Sequence, residues 1–139
     1  TPSRGCWPGA RYDHSGVMDV GSMWIFGGIK DGDVRTDELW KFDTQTLLWF
    51  QITQLTTDSN WPGAREDHSG VMDVNGAMWI FGGYQDGDGR RDELWKFDTQ
   101  TLLWSQILNR CGSLAATRML MAERMSFGSL ISRRRSGLR

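Results

Sequence analysis

The 139 residues suffice for one ordinary domain with a core of its own. The net charge of −1 conceals a division: residues 1–108 carry nine Lys/Arg against sixteen Asp/Glu, whereas residues 109–139 carry seven Arg against one Glu. No apolar run approaches the roughly 18–20 residues of a membrane-crossing helix, so no membrane contact is expected, and Cys6 and Cys111 form neither a disulfide framework nor a zinc spacing.

Residues 1–6 are a lead-in to the first of two repeated units, at 7–52. Its first expected strand is 14–20, with Val17 and Val20 as apolar members, and Gly21-Ser22 reads as the hairpin. Met23-Trp24-Ile25-Phe26 is a continuous apolar run, predicted to be a strand buried on both faces and stopped by Gly27-Gly28. A polar loop over 29–36 leads to a third strand at 38–42. Strand alternation puts Trp40 and Phe42 on one face there, Leu39 and Lys41 on the other. Asp43-Thr44-Gln45-Thr46 is turn chemistry, and residues 47–52 supply a fourth strand.

Residues 53–60 read as a linker, after which the unit returns at 61–108. Met78-Trp79-Ile80-Phe81-Gly82-Gly83 repeats the central stretch. The eight Trp divide four and four: Trp7, Trp24, Trp40 and Trp49, then Trp61, Trp79, Trp95 and Trp104. The second copy is one residue longer, Gly21-Ser22 becoming Asn75-Gly76-Ala77. An extra residue inside a strand would turn every later side chain to the other face, so its place in a turn preserves the fold. Four short strands per unit, returning with a spacing of 54 residues from Trp7 to Trp61, predict antiparallel meanders of the kind that build propeller blades.

The double glycine after an apolar strand, followed by well-spaced aromatics ending in Trp, resembles the kelch repeat. Gly27, Gly28, Trp40 and Trp49 carry the resemblance in the first copy, and Gly82, Gly83, Trp95 and Trp104 in the second. It covers about residues 7–108. The fold it implies is all-β: two four-stranded antiparallel blades of an incomplete kelch-type β-propeller. Complete propellers have ~4–8 blades and stacked repeats normally need about three, so the two units read as a fragment of a larger propeller, with exposed blade edges open to self-association. The tail, 109–139, holds no third copy. It reads as an irregular or partly helical basic end, with contact to nucleic acid as the alternative.

Candidate chemistry is thin. Asp13, His14 and Ser15 are consecutive strand-region residues that cannot converge as a catalytic triad, so His14 and His68 read as structural. Asp31-Gly32-Asp33 and Asp86-Gly87-Asp88-Gly89 begin like a calcium loop, but Arg91 occupies the position where such a loop requires Gly. Arg11 and Arg65, each near repeated acids (Asp13 and Glu38; Asp67 and Glu93), read as paired structural arginines. The resemblance extends to galactose-oxidase-like copper enzymes, an alternative function. Against it stand the few His14, His68, Tyr12, Tyr84, Cys6 and Cys111 side chains, without a local ligand motif.

A binding module is therefore expected rather than an enzyme, with no catalytic residue, cofactor or metal, a protein as partner, and a reducing, cytoplasmic setting. The two loops, 29–36 and 84–91, differ most between otherwise near-identical units. Asp31, Asp33, Arg35, Tyr84, Asp86, Asp88, Arg90 and Arg91 are the candidate partner-binding residues.

Overall fold

The computed structural model describes residues 7–53 and 60–108, which lie within the compact unit Thr1–Leu108. Residues 1–6, most of the expected linker (54–59) and the whole basic tail (109–139) lie outside the described residues. With the tail go the expectations of partial helix and nucleic-acid contact.

In chain order the strands are β1 (Arg11–Tyr12), β2 (Ser15–Asp19), β3 (Ser22–Phe26), β4 (Ile29–Lys30), β5 (Val34–Arg35), β6 (Leu39–Asp43) and β7 (Leu48–Ile52) in the first unit. The second unit holds β8 (Ser69–Met72), β9 (Ala77–Phe81), β10 (Tyr84–Gln85), β11 (Gly89–Arg90), β12 (Leu94–Asp98) and β13 (Leu103–Ile107). Two four-stranded antiparallel sheets result, β2-β3-β6-β7 and β8-β9-β12-β13, each a meander in sequence order. The doubled strand pattern is thus the architecture of the described residues.

Local chemistry moves several strand ends from their expected places. Val20, expected as an apolar member of the first strand, sits instead in the hairpin, as does its counterpart Val74, and both are fully exposed. The first hairpin is Val20-Gly21, where Gly21 takes a φ of 75°, and Ser22 belongs to β3. The extra residue of the second hairpin is absorbed by Asp73, whose Oδ1 accepts from the backbone N–H of Asn75 and Ala77, both at 2.9 Å. Leu47, expected to open the fourth strand, and its counterpart Leu102 instead close the preceding turns with φ near 60° (59° and 58°). Asp43 Oδ1 caps the first of these turns, accepting from Gln45 N and Thr46 N at 2.9 Å, and its N–H donors hold the carboxyl below its usual value.

The polar loops are ordered ribbons rather than open loops. β4 pairs with β5 and with β1 in a three-stranded sheet, and β10 pairs with β11. Gly32 (φ 82°) and Asp33 (φ 57°) supply the reversal in the first ribbon; Gly87 and Gly89 supply it in the second.

Register decides what packs on what. Ser15, Val17, Trp24, Phe26 and Leu39 share one face of the first blade through the pairs Ser15–Phe26, Val17–Trp24 and Phe26–Leu39. Gly70, Met78, Ile80, Phe97 and Trp104 share the opposite type of face on the second blade. These two unlike faces meet, and the core is their contact: Phe26 lies 5.1 Å from Trp104, and Trp24 5.4 Å from Phe97, ring centre to ring centre. Phe26, Leu39, Met78 and Phe97 are wholly buried, each such side chain contributing about 1.5–3 kcal/mol. Phe81 corrects the expectation of a strand buried on both faces: it occupies the place of Phe26 in the second blade, yet is 53% exposed. The blade face on which it lies has no described neighbour.

Candidate functional site

Each unit is locked beneath its ribbon by an arginine. Arg65 donates to Gly63 O (3.1 Å), Gly82 O (2.9 Å) and Glu93 Oε2 (2.9 Å), and is fully buried. Arg11 repeats the pattern with Gly9 O, Gly27 O and Glu38 Oε2 at 3.3, 3.2 and 2.7 Å. The acids that pair are therefore Glu38 and Glu93, whereas Asp13 and Asp67 take φ 54° at the turns before β2 and β8. Trp40 Nε1 and Trp95 Nε1 donate to the same two glutamates, at 3.0 and 3.2 Å. Burial alone would raise the Glu38 carboxyl. Hydrogen bonds from Lys30, Arg11 and Trp40 outweigh it and bring the pKa to about 2, and Glu93 reaches about 2 in the same way through Arg91, Arg65 and Trp95.

The double glycines let the backbone turn over this lock. Gly27, Gly28, Gly82 and Gly83 have φ of 68°, 87°, 74° and 92°. A Cβ on Gly28 would stand 2.6 Å from Tyr12 O, and one on Gly83 2.6 Å from Glu66 O; only glycine fits.

The joint between the blades is built from the second unit's lead segment and the first unit's ribbon. Gly28 N donates to Arg65 O (2.8 Å), Asp67 N to Asp13 O (3.1 Å), and Trp61 Nε1 to Asp37 O (3.0 Å). Ser15 Oγ and His68 Nε2 lie 2.7 Å apart, and the imidazole meets Phe26 edge-on at 5.5 Å. Burial first, and then the charges of Arg65 and His14, lower the His68 pKa to about 4, so the ring is neutral at physiological pH. Arg35 closes the joint above. It pairs with both Glu66 and Asp86, and its guanidinium carbon lies 4.7 Å over the Tyr84 ring.

Of the eight candidate partner residues, the structure gathers Arg35, Tyr84 and Asp86 in this clasp. Asp88 and Arg91 form a second pair at 3.5 Å, and Arg91 also binds Glu93. Asp31 and Asp33 stand exposed at the tip of the first ribbon, where Asp33 Oδ1 accepts from Tyr12 Oη at 3.0 Å. Arg90 is exposed, with no polar side-chain partner among the described residues. It borders an open depression of about 300 Å³ that also holds Phe81, Gly83, Tyr84 and Ser69. Among the described residues no three His, Cys, Asp or Glu side chains gather as a metal site; Cys6 and Cys111 are outside them.

The model of the KLHDC2/KLHL20/DRC7 Kelch-repeats domain matches residues 1–125. The chain belongs to the kelch-repeat family. Among curated proteins it is similar to human Kelch domain-containing protein 3, with 36% identity over 112 residues, 80% of this chain and 28% of that protein. Human Kelch domain-containing protein 1 is 28% identical over 111 residues, covering 73% of this chain and 26% of the relative. The Drosophila melanogaster Leucine-zipper-like transcriptional regulator 1 homolog is 30% identical over 108 residues, 72% of this chain and 10% of that protein. The chain thus spans about a quarter of the length of the kelch proteins it matches first.

Within this kelch domain the four motif tryptophans divide by position. Trp40, Trp95 and Trp104 are buried, whereas Trp49 is only half-covered, against Phe42 and Trp7. Sequence reasoning missed Glu66, the acid that Arg35 grips. The signal was available: PGARYDHSG and PGAREDHSG differ at one position, Tyr12 against Glu66, and that difference marks a joint rather than a core site.

Proposed function

We propose that this kelch domain is a protein-binding module whose recognition surface is the pair of ribbon tips, residues 31–33 and 86–88. One observation carries the reading. Lys30, Arg35 and Arg91 are each engaged by Glu38, by Glu66 and Asp86, or by Glu93 and Asp88. The tips therefore present aspartates beside Tyr12 and Tyr84, with Lys30, Arg35 and Arg91 already occupied and Arg90 as the one exposed ribbon arginine without a polar side-chain partner among the described residues. Such a surface favours a partner segment bearing Lys or Arg next to an apolar or aromatic residue. The rigid blades beneath, nearly identical in sequence, leave the tips free to differ.

Selection from a displayed random-peptide library tests this. Enriched peptides should be basic. They should bind several-fold more weakly to the triple variant Asp31→Asn, Asp33→Asn, Asp88→Asn, and more weakly at high salt, with the circular dichroism of the variant unchanged. Enrichment of acidic peptides, or equal binding by the triple variant, sinks the proposal.

A further inference from the structure

We propose that a second copy of this chain docks head-to-tail on the open face of the second blade, using its own first blade as the incoming surface. The joint inside the chain is the template. There the face containing Val17, Trp24, Phe26 and Leu39 receives the face containing Met78, Phe97 and Trp104. Each face has a counterpart of the same residue types at the other end of the molecule.

The receiving counterpart is Val71, Trp79, Phe81 and Leu94. Val71 is 60% exposed where Val17 is 8%, and Phe81 is 53% exposed where Phe26 is buried outright. On the incoming side Met23, Phe42 and Trp49 are half-covered where Met78, Phe97 and Trp104 are buried, and Met18 is 57% exposed, while Ile25 and Trp40 of the same face are already buried within the chain. Both ends thus offer unpaired apolar surface whose complement has the same sequence as a surface already complemented within the chain. The two faces are unlike, so the contact is heterologous.

The polar seam repeats as well. Gly28 N–H donates to Arg65 O at the internal joint, while Gly83 N–H, its counterpart, finds no backbone acceptor among the described residues; Arg11 O of a second copy is the equivalent group. Trp61 donates to Asp37 O, and Trp7, its counterpart, is 73% exposed, placed to reach Asp92 O. His14 would meet Ser69 as His68 meets Ser15. At the ribbon the pairing changes: Tyr12 stands where Glu66 does, and Arg90 where Arg35 does, so an arginine–aromatic contact replaces the ion pair.

Successive head-to-tail joints close into a ring if the rotation per blade allows it. Propellers close with roughly four to eight blades, which corresponds to two to four copies of this chain.

Sedimentation or light-scattering mass of the full chain over a hundredfold concentration range is the test, with two variants. Phe81→Arg blocks the receiving face. Gly16→Glu blocks the incoming face, because Gly70, its counterpart, lies so close to the first blade that a Cβ would stand 2.8 Å from the Ser15 side chain. Both positions are exposed within one chain, and in its own blade a Cβ on Gly16 makes only ordinary contacts, with Ile25 at 3.6 Å and Trp24 O at 4.0 Å. The parent chain should show a discrete mass of two to four copies, and each variant alone should be monomeric. An equimolar mixture of the two should give a dimer, since each retains one intact end. A monomeric parent overturns the proposal, as does parental mass in either variant or a mixture that stays monomeric. Val71→Arg replaces Phe81→Arg if circular dichroism shows the latter unfolded.

Discussion

Arg65 is the side chain on which the second unit most depends. Its guanidinium satisfies two backbone carbonyls and one carboxylate in a site without solvent. Removing it leaves the Gly63 and Gly82 carbonyls without their donor, at a cost of about 1–3 kcal/mol for each buried group, while Glu93 keeps Arg91 and Trp95. Arg65→Ala should lower the urea midpoint accordingly. Arg65→Lys should rescue it poorly, because an ammonium cannot match three acceptors arranged for a planar fork. His68 makes a separate, pH-dependent contribution. Its folded pKa, about 4, lies below the ~6.5 of an unfolded histidine, so the unfolded chain binds the proton first as pH falls. Stability should therefore decline between about pH 6.5 and about 4. Thermal melts of His68→Gln over that window should show a shallower decline than the parent. Glu38 and Glu93 act lower: their depressed pKa values contribute stability above the unfolded carboxylate value, 4.5, that is lost toward about 2. A parent profile flat from pH 7 to 4 would contradict the burial of His68.

At the scale of elements, the joint between blades depends on the close approach of β2 and β8. Gly70 permits it, and a methyl there meets Ser15 Cβ at 2.8 Å and Oγ at 2.9 Å. Gly70→Ala should destabilise the chain by about 1–3 kcal/mol, the usual cost of overpacking, whereas Gly16→Ala, whose methyl makes only ordinary contact with Ile25 at 3.6 Å and Trp24 O at 4.0 Å, should leave the blades intact. Denaturant titration of the pair separates a requirement of the joint from a requirement of the strand. If both alanines cost the same, glycine is serving the strand. The ribbons show how a polar stretch becomes an element. Asp-Gly-Asp reverses the chain, and the double glycine before it delivers both ends into pairing distance, so residues read as loop form two-residue ladders.

For the molecule as a whole, the decisive feature is the asymmetry of its two ends. One face of each blade is covered by the other blade, while Val71 and Phe81 at one end and Met18 at the other remain more than half exposed. Association that buries them stabilises the native state by mass action. The midpoint of thermal unfolding should accordingly rise with protein concentration in the parent chain and lose that dependence in Phe81→Arg. A midpoint independent of concentration in the parent would mean that these faces do not associate.

The sequence by itself determined the two described blades, the four strands of each and the glycine pairs that end their apolar strands. Local chemistry, repeated twice in register, is enough for that, because alternation, turn residues and the intolerance of a strand for an inserted residue act over short distances. It also placed Arg11 and Arg65 beside acids, without distinguishing Glu38 from Asp13. Tertiary structure decided the rest. Identical segments have different fates according to what lies against them: Phe26 is sealed and Phe81 open, Trp104 buried and Trp49 half-covered. Arg35, which sequence alone assigns to a partner, turns inward because Glu66 and Asp86 of the next unit reach it. No local pattern encodes such outcomes, since they depend on which face of one blade meets which face of another, and that pairing exists only once the chain has folded.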